Sequence, residues 1–125
     1  MKSILLSTEL IKHPKTKFEY LDTSIQNILL NIEKLEDKWI LQGIPFEHTY
    51  GRVPGETEIR FWSIPRSTGQ FLHSLVSLQK PKTVLEIGAS VGYSTIWLAS
   101  AIMNNGGEIY TCEIFPKKIE LLKEK

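Results

Sequence analysis

Apolar residues recur at helical spacing along the first third of the chain. Ile25, Ile28, Leu29, Ile32, Leu35 and Trp39 share one stripe, while Glu33, Glu36, Asp37 and Lys38 fall largely on the other side. The pattern predicts an amphipathic helix. Thr23 and Ser24 are N-cap candidates, and Gln26 follows Thr23 at the spacing of a capping box. The helix is expected to end near Gln42, with Gly43 as a C-terminal cap. Such a stripe can dock a partner helix or lie on a membrane, but packing on its own domain is the commoner use. From Gly43 to Thr57 the breakers Pro45, Gly51, Pro54 and Gly55 predict a loop.

The second half alternates between two periods. Ser67 and Gln70 stand at capping-box spacing ahead of Phe71, Leu72, Leu75, Val76 and Leu78, which predict a helix that Lys80-Pro81-Lys82 ends. Thr83-Val84-Leu85-Glu86-Ile87 is a short apolar run of strand type. A glycine turn, Gly88 to Gly92, leads into a helix from Ser94 to Met103, which Asn104-Asn105-Gly106-Gly107 stops. Glu108 to Glu113 reads as a second strand, and Pro116 opens a last helix through Lys125. Strand, helix, strand and helix at this spacing predict an α/β fold: a βαβ unit with parallel strands, preceded by helices. The chain divides into a helical extension with its loop, residues 1–58, and an α/β part, residues 59–125.

Composition narrows the partners. Of 125 residues, 42% are hydrophobic and 23% charged, which is ordinary globular composition. A net charge of +1 argues against nucleic-acid binding, whose affinity rests on neutralising phosphates. No apolar run approaches the ~20 residues of a membrane helix, and Ile4 to Leu6 is too short for the core of a signal peptide. The single cysteine, Cys112, excludes an intramolecular disulfide and suits a reducing, cytoplasmic setting; it is expected to be buried in its strand. His13, His48 and His73 are scattered, make no ligand set and are expected at the surface.

The chemistry concentrates in Glu86-Ile87-Gly88-Ala89-Ser90-Val91-Gly92-Tyr93-Ser94. Glycines between a strand and a helix let the backbone turn sharply and let a ligand approach without an intervening Cβ. N–H groups at the helix start favour an anionic group. Glu113 ends the next strand, where an acidic side chain of a βαβ unit reaches ribose hydroxyls. The dinucleotide pattern G-x-G-x-x-G fails, because Ser90 and Tyr93 stand where its second and third glycines belong, and no Lys follows Gly92 as a P-loop requires. E-x-G-x-x-x-G remains. Its carboxylate, Glu86, would repel a pyrophosphate and attract an ammonium.

That pattern is the one found in S-adenosylmethionine-dependent methyltransferases. Val84 to Thr95 resembles the cofactor loop of the catechol and caffeoyl-CoA type O-methyltransferases, including the Gly92-Tyr93-Ser94 that follows it. Ile64-Pro65-Arg66-Ser67-Thr68-Gly69-Gln70-Phe71-Leu72 is similar to the segment leading into the helix before the first strand, and Thr111-Cys112-Glu113-Ile114 to the end of the second. The resemblance covers residues 60 to 125 and implies the first half of a Rossmann-like methyltransferase domain with S-adenosylmethionine as cofactor. The backbone of Gly88, Ala89 and Ser90 would border the methionine part. Glu86 would lie by its amino group, directly or through water. Tyr93 and Ser94 would close over its carboxylate, with the Ser94 hydroxyl as a donor. Glu113 would take both ribose hydroxyls, Ile114 would lie against the adenine, and Ser63 and Ile64 would line the cofactor from the preceding segment.

Other readings of these residues stay open. Glu86 could be a strand-end cap, and Tyr93 and Trp97 plain core residues, the better reading for Trp97. Arg60 and Arg66 could clamp an acidic substrate, though ion pairs to Glu are commoner. In the resembling enzymes the residues that align the methyl acceptor, and the carboxylates that hold a divalent metal in several of them, follow later strands. The chain is expected to be a fragment of a longer product or a truncated frame, with no catalytic residue and no metal ligand of its own. The expected partner is a small-molecule methyl acceptor, with a homodimer in keeping with the resemblance. The alternative is a truncated, non-catalytic module that binds a nucleotide or a protein.

Overall fold

The structure, a computed structural model, describes residues 18–41 and 61–123. The expected loop from Gly43 to Thr57, the boundary after residue 58, and His13, His48 and Arg60 lie outside them. The order is α1 (Thr23–Leu41), α2 (Arg66–Gln79), β1 (Thr83–Ile87), α3 (Tyr93–Met103), β2 (Glu108–Cys112) and α4 (Pro116–Lys123). The strands pair in parallel, from Thr83 opposite Glu108 to Ile87 opposite Cys112. The expected βαβ unit is therefore present, and β2 stops one residue before Glu113.

The helix starts differ from the expected capping boxes. α1 begins at Thr23, and the carboxylate of Asp22 accepts the Ser24 N–H at 2.8 Å, so Asp22 caps the helix rather than Thr23 or Ser24. Gln26 instead donates its side-chain amide to the Leu21 carbonyl at 2.7 Å. α2 starts at Arg66 after Pro65, which has no side chain able to cap, and the Ser67–Gln70 box does not form. Lys80 ends α2 in the left-handed region, its N–H bonded to the Val76 carbonyl at 2.9 Å.

α3 is the hub. It is apolar nearly all round, which suits a helix enclosed on several sides, and Tyr93, Trp97, Leu98, Ser100, Ala101 and Ile102 are buried. It packs on α1, on α2 and on both strands. Against α2 the approach is close: a Cβ at Gly69 would fall within 3.0 Å of the Trp97 indole, so packing demands glycine there. One core cluster joins Phe18, Leu29, Ile32, Val91, Tyr93 and Trp97; a second joins Val76, Leu98, Ala101 and Ile102, with Val84 and Ile109 packed against it.

Val84 and Ile109 thus face α3, and their neighbours face away. Leu85, Ile87 and Tyr110 are exposed, and so is Cys112, which corrects its expected burial. Parallel strands are usually covered on both faces; among the described residues nothing covers this one. Phe71, Leu75 and Leu78 on α2 are also exposed, and only Leu72 and Val76 of its expected apolar face join the core. His73 is half-buried rather than at the surface, edge-on to Trp97 at 6.2 Å, and burial holds its pKa below the ordinary histidine value.

Candidate functional site

The turn after β1 is built on three left-handed residues, Gly88 (φ 89°), Ser90 (φ 51°) and Gly92 (φ 86°). The N–H groups of Gly88 and Ala89 both donate to the Cys112 carbonyl, at 2.9 and 3.0 Å, and the Ser90 N–H donates to Glu113 Oε2 at 2.7 Å. The turn is therefore lashed to the end of β2, and these three donors are not free for a ligand. The N–H groups of Tyr93 and Ser94, in the first turn of α3, have no acceptor among the described residues. They are the donors available to an anionic group, one step further along than the glycine turn itself.

A narrow cleft of about 70 Å³ opens beside the turn. Gly88, Ala89, Ser90, Tyr93 and Ser94 line one side, and Ser63 and Ile64 the other, so seven of the residues singled out in the sequence meet here. Phe61, Trp62 and Val91 also line it and carried no such signal. Whole-ligand pockets begin near ~300 Å³, so this slot suits one slim arm of a ligand. Two features suit a polar arm. The Ser63 hydroxyl is buried beside the Glu36 carboxylate, which takes the Ser63 N–H, and makes no well-formed hydrogen bond of its own among the described residues. A Cβ added at Gly88 would meet nothing within 4 Å, so the turn leaves open space there.

Glu86 lies beneath the turn, 9% exposed, and accepts three hydroxyls: Ser94 at 2.6 Å, Thr95 at 2.5 Å and Thr111 at 2.7 Å. It ties β1 to β2 and to the start of α3. The Ser94 hydroxyl is directed at Glu86, and not at the place expected for a ligand carboxylate. Ser94 is the sole donor to Glu86 Oε1 among these bonds, so that oxygen keeps acceptor capacity. Tyr93 is buried, and its hydroxyl donates to Glu33 of α1 at 2.6 Å. Burial first, then that carboxylate, push its pKa well above the ordinary tyrosine value. Its side chain is thus a core and anchoring group, and only its backbone N–H remains for a ligand.

Glu113 sits at the carboxyl end of β2. Its Oε1 accepts the N–H of Ile114 at 2.7 Å and of Phe115 at 2.9 Å, and its Oε2 that of Ser90. Burial raises its carboxyl pKa, but these backbone donors and the charge of Lys118 outweigh it and hold the group below the ordinary carboxylate range. A carboxylate has about four acceptor positions, and three are engaged. Gly92 packs beneath α4, where an added Cβ would press on Leu122 at 2.8 Å, so its role is steric. Ile114, next in sequence to Glu113, is an apolar side chain 84% exposed.

Lys118, on α4, is the site residue the sequence pattern concealed. It is buried at 6% exposure; its ammonium donates to Ser90 Oγ at 2.8 Å and lies 4.4 Å from the Trp62 ring centre. Burial lowers its pKa and Glu113 acts against that. Ser90 Oγ in turn donates to the Phe61 carbonyl. This relay holds the 61–64 segment against the turn. Arg66 pairs with Glu33, as the commoner reading of that arginine expected. No group of three His, Cys, Asp or Glu among the described residues is placed to hold a metal ion, and no described helix is long and apolar enough to cross a membrane.

Known proteins place this arrangement. A solved O-methyltransferase from Bacillus cereus, in complex with SAH, superposes with a TM-score of 0.52 at 25% identity, covering 82% of this chain and 37% of that one. A candidate O-methyltransferase from Klebsiella pneumoniae superposes with a TM-score of 0.53 at 27% identity, covering 93% of this chain and 40% of that one. A catechol O-methyltransferase from Niastella koreensis is 44% identical over 55 residues, which are 44% of this chain and 24% of that protein. The chain spans less than half the length of each of these proteins. The fold is Rossmann-like, and the family model for O-methyltransferases matches residues 50–125, more than half of the sequence. The chain belongs to the O-methyltransferase family.

Proposed function

We propose that this chain supplies the cofactor-binding part of an S-adenosylmethionine-dependent O-methyltransferase that acts on a small-molecule hydroxyl. The observation that carries the reading is the slot itself. It lies at the carboxyl ends of two parallel strands, between the glycine turn and Ser63-Ile64, with the Glu113 carboxylate at the end of β2. Ligands of open α/β sheets bind at that end. The slot suits the methionine arm: the Tyr93 and Ser94 N–H groups and the Ser63 hydroxyl offer donors for its carboxylate, and Glu86, beneath the turn and outside the slot's lining, offers Oε1 to its ammonium through a bridging water. Glu113 and the exposed face of Ile114 then suit the ribose and adenine outside the slot. The cofactor contributes the methyl group; the residues here bind and orient it. The lone thiol Cys112 suits a reducing cytoplasm, and the family suggests a homodimer.

Calorimetry with S-adenosylhomocysteine, the demethylated cofactor, and with NAD tests this directly. Binding of the first and indifference to the second are expected. Tight NAD binding with none of the S-adenosyl compound would overturn the reading.

Gly88→Val is expected to abolish that binding while the chain stays folded. A Cβ there meets no protein atom within 4 Å, so the new side chain starts out into the ligand's space. The positive φ of 89° is strained for any side chain and most of all for a β-branched one, so a lowered melting temperature is expected beside the lost binding. Circular dichroism alongside calorimetry checks both halves; a variant that binds normally reduces the turn to a structural one.

A further inference from the structure

The region matched by the family model begins at residue 50, yet two carboxylates of α1 reach the slot's walls. Glu33 and Glu36 stand one turn apart on the same face of α1. Glu36 Oε1 accepts the N–H of Ser63 at 3.0 Å, on the wall formed by the 61–64 segment. Glu33 Oε1 accepts the hydroxyl of Tyr93 at 2.6 Å, on the wall formed by the start of α3. Glu33 also takes the guanidinium of Arg66, whose Nε donates at 2.9 Å, and so fixes the start of α2, two residues beyond Ile64. Arg66 in turn lies 4.4 Å from the centre of the Phe18 ring, just ahead of α1. Both carboxylates are partly buried, where hydrogen bonds to charged acceptors are strong and leave little play.

We infer that α1 is a positioning element of the cofactor slot, with Glu33 and Glu36 setting the separation of its two walls through Tyr93 and Ser63. The inference rests on the cofactor reading proposed above. A slot this narrow is sensitive to sub-ångström movement of either wall. The sequence alone could not show it, because Glu33 and Glu36 fall on the polar side of an amphipathic helix and read as solvated.

The test compares Glu36→Leu, Glu36→Gln and Val76→Ala in the full chain, by calorimetry with S-adenosylhomocysteine and by thermal melting. Leucine removes the acceptor for the Ser63 N–H; glutamine restores one through its amide oxygen. Val76→Ala weakens the other core cluster and leaves the walls alone. Glu36→Leu is expected to weaken binding on the order of tenfold, with Glu36→Gln close to wild type and Val76→Ala lowering the melting temperature only. Wild-type affinity in Glu36→Leu would overturn the inference. Should Glu36→Leu fail to fold, amide exchange of the wild type decides, since coupling between α1 and the ligand must be reciprocal. Saturating ligand is expected to slow exchange in α1 and at Ser63. Protection confined to residues 88–94 would overturn the inference and leave the cofactor reading intact. Failure of the wild type to bind would instead overturn that reading, and this inference with it.

Discussion

Trp97→Ala is expected to lower the unfolding free energy by about 3–5 kcal/mol, the usual cost of deleting a large buried aromatic. Trp97 is completely buried and is the largest such side chain in the described structure. Phe18 meets it edge-on at 5.7 Å and Tyr93 at 6.4 Å, while Gly69 closes against its indole. The residue therefore joins the segment before α1, the first turn of α2 and the body of α3. A cavity bounded by three separate elements cannot collapse without moving all of them, which places the loss toward the upper part of that range. Small domains are stable by only ~5–15 kcal/mol in total, so the variant is expected near its unfolding threshold at room temperature. Chemical denaturation followed by circular dichroism measures it, and a loss below about 1 kcal/mol would show that the surrounding elements do not depend on the indole.

The α/β part was legible because its signals are local. Thr83–Ile87 is an apolar run between Pro81-Lys82 and a glycine turn, and it is β1 residue for residue. Trp97 as a core residue followed from its place on a helix that is apolar nearly all round. Local signals misled where two of them competed. Thr23 and Gln26 fit a capping box, but Asp22 is one residue earlier and its carboxylate takes the helix N–H. α2 carries two apolar stripes, and periodicity has no means of choosing between them. Gly69 and Val76 face α3 because only glycine clears the indole, and that leaves Phe71, Leu75 and Leu78 outside. Cys112 was expected inside because parallel strands are usually covered on both faces, yet its face of the sheet is bare among the described residues. At the site, the turn and the 63–64 segment could be placed beforehand because glycine spacing is a backbone signal. The direction of each polar side chain was not visible: whether Ser94 points at Glu86 or at a ligand is decided by tertiary placement. Lys117 and Lys118 were indistinguishable in sequence; the helical turn after Pro116 buries one and exposes the other.

Glu113→Ala in the full chain is expected to weaken S-adenosylhomocysteine binding by about 2 kcal/mol, on the order of thirtyfold. The estimate takes one ribose hydroxyl donating to the acceptor position that the three backbone N–H groups leave open, and it depends on the cofactor reading proposed above. The geometry adds a second consequence that position alone did not suggest. Glu113 gathers the N–H groups of Ser90, Ile114 and Phe115 and faces Lys118, so it organises the turn as well as meeting a ligand. Glu113→Ala should therefore also lower the melting temperature of the unliganded chain, instead of leaving it unchanged. The carboxyl pKa is depressed in the folded state, so the stability it contributes is fully present above its unfolded value, near ~4.3. It is lost as the pH falls through the lower folded value. The melting temperatures of wild type and Glu113→Ala should then differ at neutral pH and converge in acid. Glu113→Gln separates the two roles. Its amide oxygen keeps one acceptor, so part of the affinity should survive, while its NH2 group faces the same backbone donors and cannot accept from them. Unchanged affinity in Glu113→Ala, at whatever melting temperature, would make Glu113 a structural cap of the turn and remove it from the cofactor site.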